Sequence, residues 1–307
     1  MLAPWKYPQV QKWSASIQRD VGFNTLLEVA YVGTKGSHLL GAVNLNQPYP
    51  NVPVAQGLIS PDSVRPYPGY STITAYEPAF DSNYQALQVS AIHRLQHGIE
   101  FQASYTYSKT ITNASSEWGT PQNSRDISAE RGLASFDVPQ VLTFNYVWDL
   151  PVFQNSKGIT KAVLGGWQLS GVTNIQSGFP LTVTLPTDNQ GTGGGLERAD
   201  VTGNPNGPKT LYNWFNTDVF TTPQIGTFGN EGNSVIRGPG TINWDVSMSK
   251  SFVFRENMNL RFRGEFFNIF NHPSFNAVDT GLGDLSFGQV TGALSPRLIQ
   301  LSLVFSF

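Results

Sequence analysis

The chain has 307 residues, a formal net charge of −2 and 13% charged residues, against about 25% in an average soluble protein. A nearly neutral chain offers no basic surface, so we expect no nucleic-acid partner. The lack of cysteine excludes a disulfide scaffold and a cysteine metal site. Apolar runs stay shorter than the roughly 18 residues of a transmembrane helix, and residues 1–10 show no signal-peptide pattern.

Nine extended segments follow one another along the chain, and alternating side chains identify them as β-strands. In a strand, successive side chains point to opposite faces. The fourth segment places Phe101 and Tyr105 on one face and Gln102 and Ser104 on the other. The predicted strands are residues 10–20, 24–34, 83–96, 98–110, 137–150, 163–185, 241–254, 257–270 and 297–307.

The connections between these segments alternate between short and long. The short connections are 21–23, 97, 151–162 and 255–256, and the long ones are 35–82, 111–136, 186–240 and 271–296. Barrels of bacterial outer membranes have short periplasmic turns and long external loops. The sequence therefore predicts an all-β, antiparallel transmembrane β-barrel segment with long external loops, whose last strand runs from the outside toward the periplasm.

The last strand has one fully apolar face, and the chain ends on an aromatic residue. The apolar set is Ile299, Leu301, Leu303, Phe305 and Phe307. Such an edge invites aggregation in a soluble protein, whereas a lipid-facing strand requires it. We interpret this set as a C-terminal signal for the barrel assembly machinery. The alternative is an ordinary core strand.

Three charged residues of the eighth segment, Arg261, Arg263 and Glu265, share the face opposite to its apolar residues. We predict that they face the lumen of the barrel and form a structural ladder of charges paired across strands, each pair worth roughly 0.2–1 kcal/mol. The alternative is that they line a solute path or contact a plug.

The long connections contain acidic residues but no recognisable catalytic motif. Asp188, Glu197, Asp200 and Glu231 could hold calcium, but their spacing does not match an EF-hand loop. We interpret them as solvated loop charges. No Gly-x-Ser-x-Gly elbow or phosphate-binding glycine motif appears, so we expect no enzymatic activity, no cofactor and no metal.

Several motifs, in their order along the chain, resemble the TonB-dependent receptors of the Oar-like type. The most specific are residues 165–171 (GGWQLSG), 237–240 (RGPG) and 263–273 (RGEFFNIFNHP). The resemblance implies a barrel of about 22 strands with an N-terminal plug. Residues 1–307 would then be the C-terminal part of the barrel, with the plug, the TonB-engaging segment and the signal peptide absent from this sequence.

The resemblance also implies a place in the bacterial outer membrane, contact with outer-membrane lipid, and uptake of a ligand that the sequence does not identify. The TonB complex would be contacted only through the N-terminal part of such a receptor. Two alternatives remain open: a small, self-contained outer-membrane porin or adhesin, and a secreted soluble β-sandwich.

Overall fold

The structure is a computed structural model that describes residues 6–114, 120–255 and 258–307. Glu256, predicted to lie in a short turn, and residue 257 fall outside the described residues. The strands are β1 (Gln9–Asp20), β2 (Thr25–Asn44), β3 (Thr74–Gln96), β4 (Ile99–Thr112), β5 (Gly132–Leu133), β6 (Gln140–Asp149), β7 (Trp167–Gln176), β8 (Pro180–Leu181), β9 (Asp200–Val201), β10 (Phe220–Thr221), β11 (Ile236–Arg237), β12 (Thr241–Arg255), β13 (Met258–Phe267), β14 (Phe275–Val278), β15 (Val290–Ala293) and β16 (Leu298–Ser306). The helices are α1 (Val52–Ala55) and α2 (Gly158–Leu164), and short 3-10 turns occupy Pro61–Val64, Ile127–Glu130 and Thr217–Val219.

The long strands form one antiparallel sheet in which each strand lies beside its neighbours in the chain. The order is β1-β2-β3-β4-β6-β7-β12-β13-β16, with β5 paired to the end of β4. Each of the nine predicted segments overlaps one of these strands. Within the described residues, β1 pairs with β2 alone and β16 with β13 alone, so the sheet is open at both edges.

Some predicted boundaries differ from the structure. β2 continues to Asn44 and β3 already begins at Thr74, so much of the predicted 35–82 loop is an extension of this hairpin. In the predicted segment 163–185, only Trp167–Gln176 joins the main sheet. The backbone of Gly178 approaches that of Gly238 too closely for a side chain, and Pro180 starts the separate strand β8. The strand of the main sheet therefore ends before Gly178.

The register gives the main sheet two chemically distinct faces. Directly opposite residues of neighbouring strands share a face, and a slip of one residue would exchange the faces. One row across seven strands, on what we call the apolar face, is Ile17, Val29, Val89, Tyr105, Leu142, Ile175 and Ile242. The next row, on what we call the polar face, is Gln18, Glu28, Ser90, Ser104, Thr143, Asn174 and Asn243.

The apolar face is not covered by a second sheet in the part of the chain that the structure describes. Ile17 is 77% exposed, Leu301 65% and Phe307 93%. The soluble β-sandwich is therefore wrong, as is a core position for the last strand, because either would enclose these side chains. Among the described residues, no helix is long and apolar enough to cross a membrane.

Glycines on the apolar face let aromatic rings lie flat against the neighbouring strand. Gly33 is directly opposite Trp13, and a Cβ atom at Gly33 would lie 2.1 Å from the indole ring. Gly171 is opposite Tyr146, where the same atom would lie 2.7 Å from the phenol ring. Large rings over cross-strand glycines help to fix the register.

The long connections on one side of the sheet fold together into what we call the loop layer: residues 45–73, 113–114, 120–139, 177–240 and 268–297. This layer has its own apolar core of Val183, Ala199, Trp214, Phe215, Phe220 and Ile236. The ring of Phe215 contacts those of Phe220 and Phe287 edge to face, with centroids 5.7 and 5.2 Å apart. The long loops are therefore packed structures, although they contain little regular secondary structure.

The two faces can be distinguished by labelling, because the chain contains no cysteine. Met248 lies on the apolar face and Ser249 on the polar face, and both are half-buried. If lipid covers the apolar face, a water-soluble maleimide will label the Ser249→Cys variant several-fold faster than the Met248→Cys variant in native membranes. Both variants should react equally in denaturing detergent. Equal rates in the membrane would contradict the assignment of the faces.

Candidate functional site

The polar face of the main sheet lines grooves of the size that small ligands occupy. A groove of about 610 Å³ lies in the range typical of ligand sites. Its polar lining includes Glu100, Gln102, Asn145, Asp245 and Glu265. A neighbouring groove of about 490 Å³ is lined by Gln168, Ser249, Ser251, Arg261 and Arg263, among others. The sheet thus curves around its polar face and presents charged and amide groups there.

Arg263 and Glu265 form an ion pair along β13. Arg263 Nη2 lies 2.8 Å from Glu265 Oε1, and Arg263 Nε donates to Ser247 Oγ at 3.1 Å. The residues opposite Arg263 on the two neighbouring strands, Ser249 and Ser302, are uncharged. The expected ladder of charges across strands is therefore wrong for this pair. The Arg263 side chain is 51% exposed, so the pair adds little to stability.

Arg261 remains available for a ligand or a neighbouring protein segment. It lies between Ser251 and Val304 and makes no ion pair among the described residues. Arg261, Arg263 and Glu265 thus share the polar face, and both arginines line the smaller groove. That this face encloses the lumen of a barrel stays a prediction.

The terminal apolar residues lie on the opposite, apolar face. In order along β16, Ile299, Leu301, Leu303 and Phe305 face Phe266, Gly264, Phe262 and Leu260 of β13. The rings of Phe305 and Phe307 stack with centroids 5.9 Å apart. The structure thus places the five residues together on one exposed edge, and their recognition by the assembly machinery stays a prediction.

A buried ion pair joins two connections of the loop layer. The Arg198 guanidinium contacts the Glu130 carboxylate through two hydrogen bonds of 2.8 and 3.0 Å, and both side chains are almost fully buried. Gln122 bridges the pair, since its backbone N–H donates to Glu130 and its Oε1 accepts from the Arg198 N–H. No local sequence pattern predicts this pair, because its members are 68 residues apart.

A second ion pair fastens the loop layer to the C-terminal end of β4. Arg237 Nη2 lies 2.8 Å from Asp137 Oδ2, and Nη1 donates to the carbonyl oxygens of Asp137 and Gly178. Asp137 Oδ1 accepts from the backbone N–H of Thr110 in β4 at 2.6 Å. This arrangement gives the arginine of the RGPG motif a structural role.

Two acidic loop residues interpreted as solvated charges are in fact buried. Glu231 is 1% exposed and Glu197 is 5% exposed. Burial raises the pKa of Glu231 to about 7 and that of Glu197 to about 8. Glu231 Oε1 accepts from the Val183 N–H at 3.0 Å, and the nearby Arg198 limits the rise in its pKa. The interpretation was wrong because the loops pack against one another.

Asp188 and Asp200 are half-exposed, and their carboxylates bind backbone N–H groups of nearby loops. Across the described ranges, no three side chains of the His, Cys, Asp and Glu types gather in a geometry suited to a metal ion.

The loop layer should become less stable as the pH rises, because burial disfavours the ionised form of Glu231. Its folded-state pKa of about 7 exceeds the ordinary 4.5, so the neutral carboxyl favours the folded layer. This stabilisation, roughly 2–4 kcal/mol, is complete below about pH 4.5 and is lost as the pH rises through about 7. We expect protection of the Val183 amide, corrected for intrinsic exchange rates, to fall over this range.

The Glu231→Gln variant should show a flatter pH dependence of this protection, because glutamine keeps the acceptor for Val183 but does not ionise. Asp218, an exposed loop residue, provides the control, and the Asp218→Asn variant should behave like the wild type. A wild-type protein with constant protection from pH 5 to 8 would show that Glu231 does not carry the effect.

The chain matches one protein-family model, described as an outer membrane beta barrel domain, over residues 3–300. No curated protein matches it. Its structure is similar to that of the outer membrane transporter YddB from Escherichia coli, with a TM-score of 0.51 and 12% identity over 98% of this chain and 33% of that chain.

Two receptors show weaker similarity. BauA, the ferric preacinetobactin receptor from Acinetobacter baumannii, has a TM-score of 0.49 and 12% identity over 97% of this chain and 29% of that chain. The ferripyoverdine receptor of the outer membrane of Pseudomonas aeruginosa has a TM-score of 0.46 and 10% identity over 98% of this chain and 27% of that chain.

At these identities the likeness to YddB shows the fold alone, and this chain spans about a third of the length of YddB. The predicted membership of an outer-membrane β-barrel family is confirmed. The predicted location in the bacterial outer membrane is confirmed as well. The chain belongs to the outer membrane beta barrel domain family.

Proposed function

We propose that this chain forms part of the wall and of the external loops of a TonB-dependent receptor that takes up a ligand through the outer membrane. The observation that carries the proposal is the two-faced sheet. Its apolar face suits lipid, its polar face lines grooves, and an ordered loop layer lies at one end. The fold shared with YddB supports it.

The sheet would form the C-terminal part of a larger barrel. Backbone N–H and C=O groups at an open edge cannot stay unpaired in lipid, and both edges of the sheet are open within the described residues. Further strands of the same receptor, bringing the total to about 22, would pair with β1 and β16. The plug and the segment that engages TonB would belong to other parts of that receptor.

In this proposal the chain performs no covalent chemistry. The loop layer captures the ligand on the outer surface, and movement of the plug, driven through TonB, opens a path along the polar face. Arg261, Arg263 and Glu265 would border that path or contact the plug. The side chains that line the grooves are both acidic and basic, so they do not point to a single ligand charge.

Passive permeability to small solutes distinguishes the proposed receptor from a porin. We expect liposomes that contain the complete, full-length protein to resist swelling in an isotonic arabinose solution, because a plug closes the lumen. We also expect the protein to be crosslinked to the periplasmic domain of TonB. A swelling rate like that of a general porin, without a TonB crosslink, would favour the self-contained porin.

We further propose that β16 carries the signal for barrel assembly. The Phe307→Asp variant should be synthesised normally but reach the outer membrane several-fold less, because a charge replaces an aromatic side chain on the apolar face. The Ser306→Asp variant is the matched control, since Ser306 points to the polar face. Cell fractionation measures both variants, and equal insertion of the two would count against the signal.

A further inference from the structure

Buried side-chain oxygens in one glycine-rich loop lack hydrogen-bond partners. The loop spans residues 188–197 (DNQGTGGGLE) and connects β8 with β9. In the described chain, Gln190 Oε1, Thr192 Oγ1 and Glu197 Oε1 are all buried without a partner. The three residues are only 2%, 2% and 5% exposed. Buried acceptors without a donor are costly, so a bound group that contacts them would stabilise the loop.

Local contacts hold these residues close together. Gln190 Nε2 donates to the carbonyl of Leu196 at 3.0 Å, next to Glu197, and the Gln190 amide also contacts the Glu197 carboxyl. The Asp188 carboxylate accepts from the N–H of Thr192 at 2.9 Å and interacts with the Glu197 carboxyl. The loop therefore closes on itself, with two acidic groups beside an amide and a hydroxyl.

No side chain among the residues described makes an ion pair with this cluster, neither with Asp188 nor with Glu197. Arg65 approaches the loop at Gly193, but its guanidinium binds Asp62 at 2.6 Å and the carbonyl of Asn46 at 2.9 Å. A bound cation would satisfy the free oxygens.

The ligand chemistry selects a hard cation. Carboxylate, amide and hydroxyl oxygens suit calcium, which takes six to eight oxygen ligands in flexible geometry, including backbone carbonyls and water. Magnesium demands near-ideal octahedral geometry, and transition metals favour imidazole or thiolate, which this loop lacks. The Asp188 carboxylate already accepts hydrogen bonds from the backbone N–H groups of Gly191, Thr192, Gly193 and Gly194. It would therefore attract the ion by its negative charge and not serve as a direct ligand.

We propose that the 188–197 loop binds one calcium ion through the side-chain oxygens of Gln190, Thr192 and Glu197, with Asp188 as a neighbouring charge. The ion would fix the junction of two loops, since the Gln190 carbonyl accepts from the N–H of Asn51 at 2.9 Å. The site is independent of the receptor's ligand.

Titration calorimetry of the full-length, metal-free protein in detergent tests the proposal. Added calcium chloride should bind with one-to-one stoichiometry and a Kd of about 10⁻⁴–10⁻³ M, as in extracellular calcium modules. The Glu197→Gln variant should bind at least about tenfold more weakly, because it keeps the size of the side chain but cannot ionise to a carboxylate that holds the cation. Asp200→Asn, which removes a loop carboxylate outside the site, should bind like the wild type.

A second variant and a second measurement keep the test valid if the Glu197→Gln variant fails to fold. The nearly isosteric Thr192→Val variant removes one ligand oxygen and should also weaken binding. In the wild type, calcium should slow amide exchange at residues 190–192, and a chelator should reverse this effect. No binding by the wild type would overturn the proposal and indicate that water or a shared proton occupies the site. Equal affinity for magnesium, or unchanged binding by Glu197→Gln, would also overturn it.

Discussion

The register of the main sheet is the constraint on which the rest of the structure depends. Backbone polar groups of a lipid-exposed strand must pair with neighbouring strands, and the pairing decides which side chains meet the lipid. Phe262 faces Leu303 in the observed register. A slip of β13 by one residue would bring Arg261 or Arg263 to the apolar face, at a cost of about 2–4 kcal/mol near the bilayer midplane.

The loop layer depends on different forces. It packs an apolar core, and its buried ion pairs link residues far apart in the chain, such as Arg198 with Glu130 and Arg237 with Asp137. Desolvation offsets much of the attraction within a buried pair, but loss of one partner leaves an unpaired charge and costs about 3–5 kcal/mol. These pairs therefore specify how the loops fit together more than they add stability.

The wall and the loop layer suit different tasks in the proposed receptor. The wall repeats one simple pattern, which many sequences can satisfy, so a shared fold with YddB persists at 12% identity. The loop layer has no such repeat. Its buried acidic groups, Glu197 and Glu231, make it sensitive to protons and, as we propose, to calcium.

The sequence by itself determined the strands, their order and their two faces, because alternation and loop length are local properties that lipid and water select residue by residue. It also grouped Arg261, Arg263 and Glu265 on one face. Only the tertiary structure decided the burial of Glu197 and Glu231 and the pairing of Glu130 with Arg198. It also buried Lys250 on the apolar face, where its ammonium donates to the Gly165 carbonyl. These features depend on contacts between distant segments, whose position no local pattern encodes.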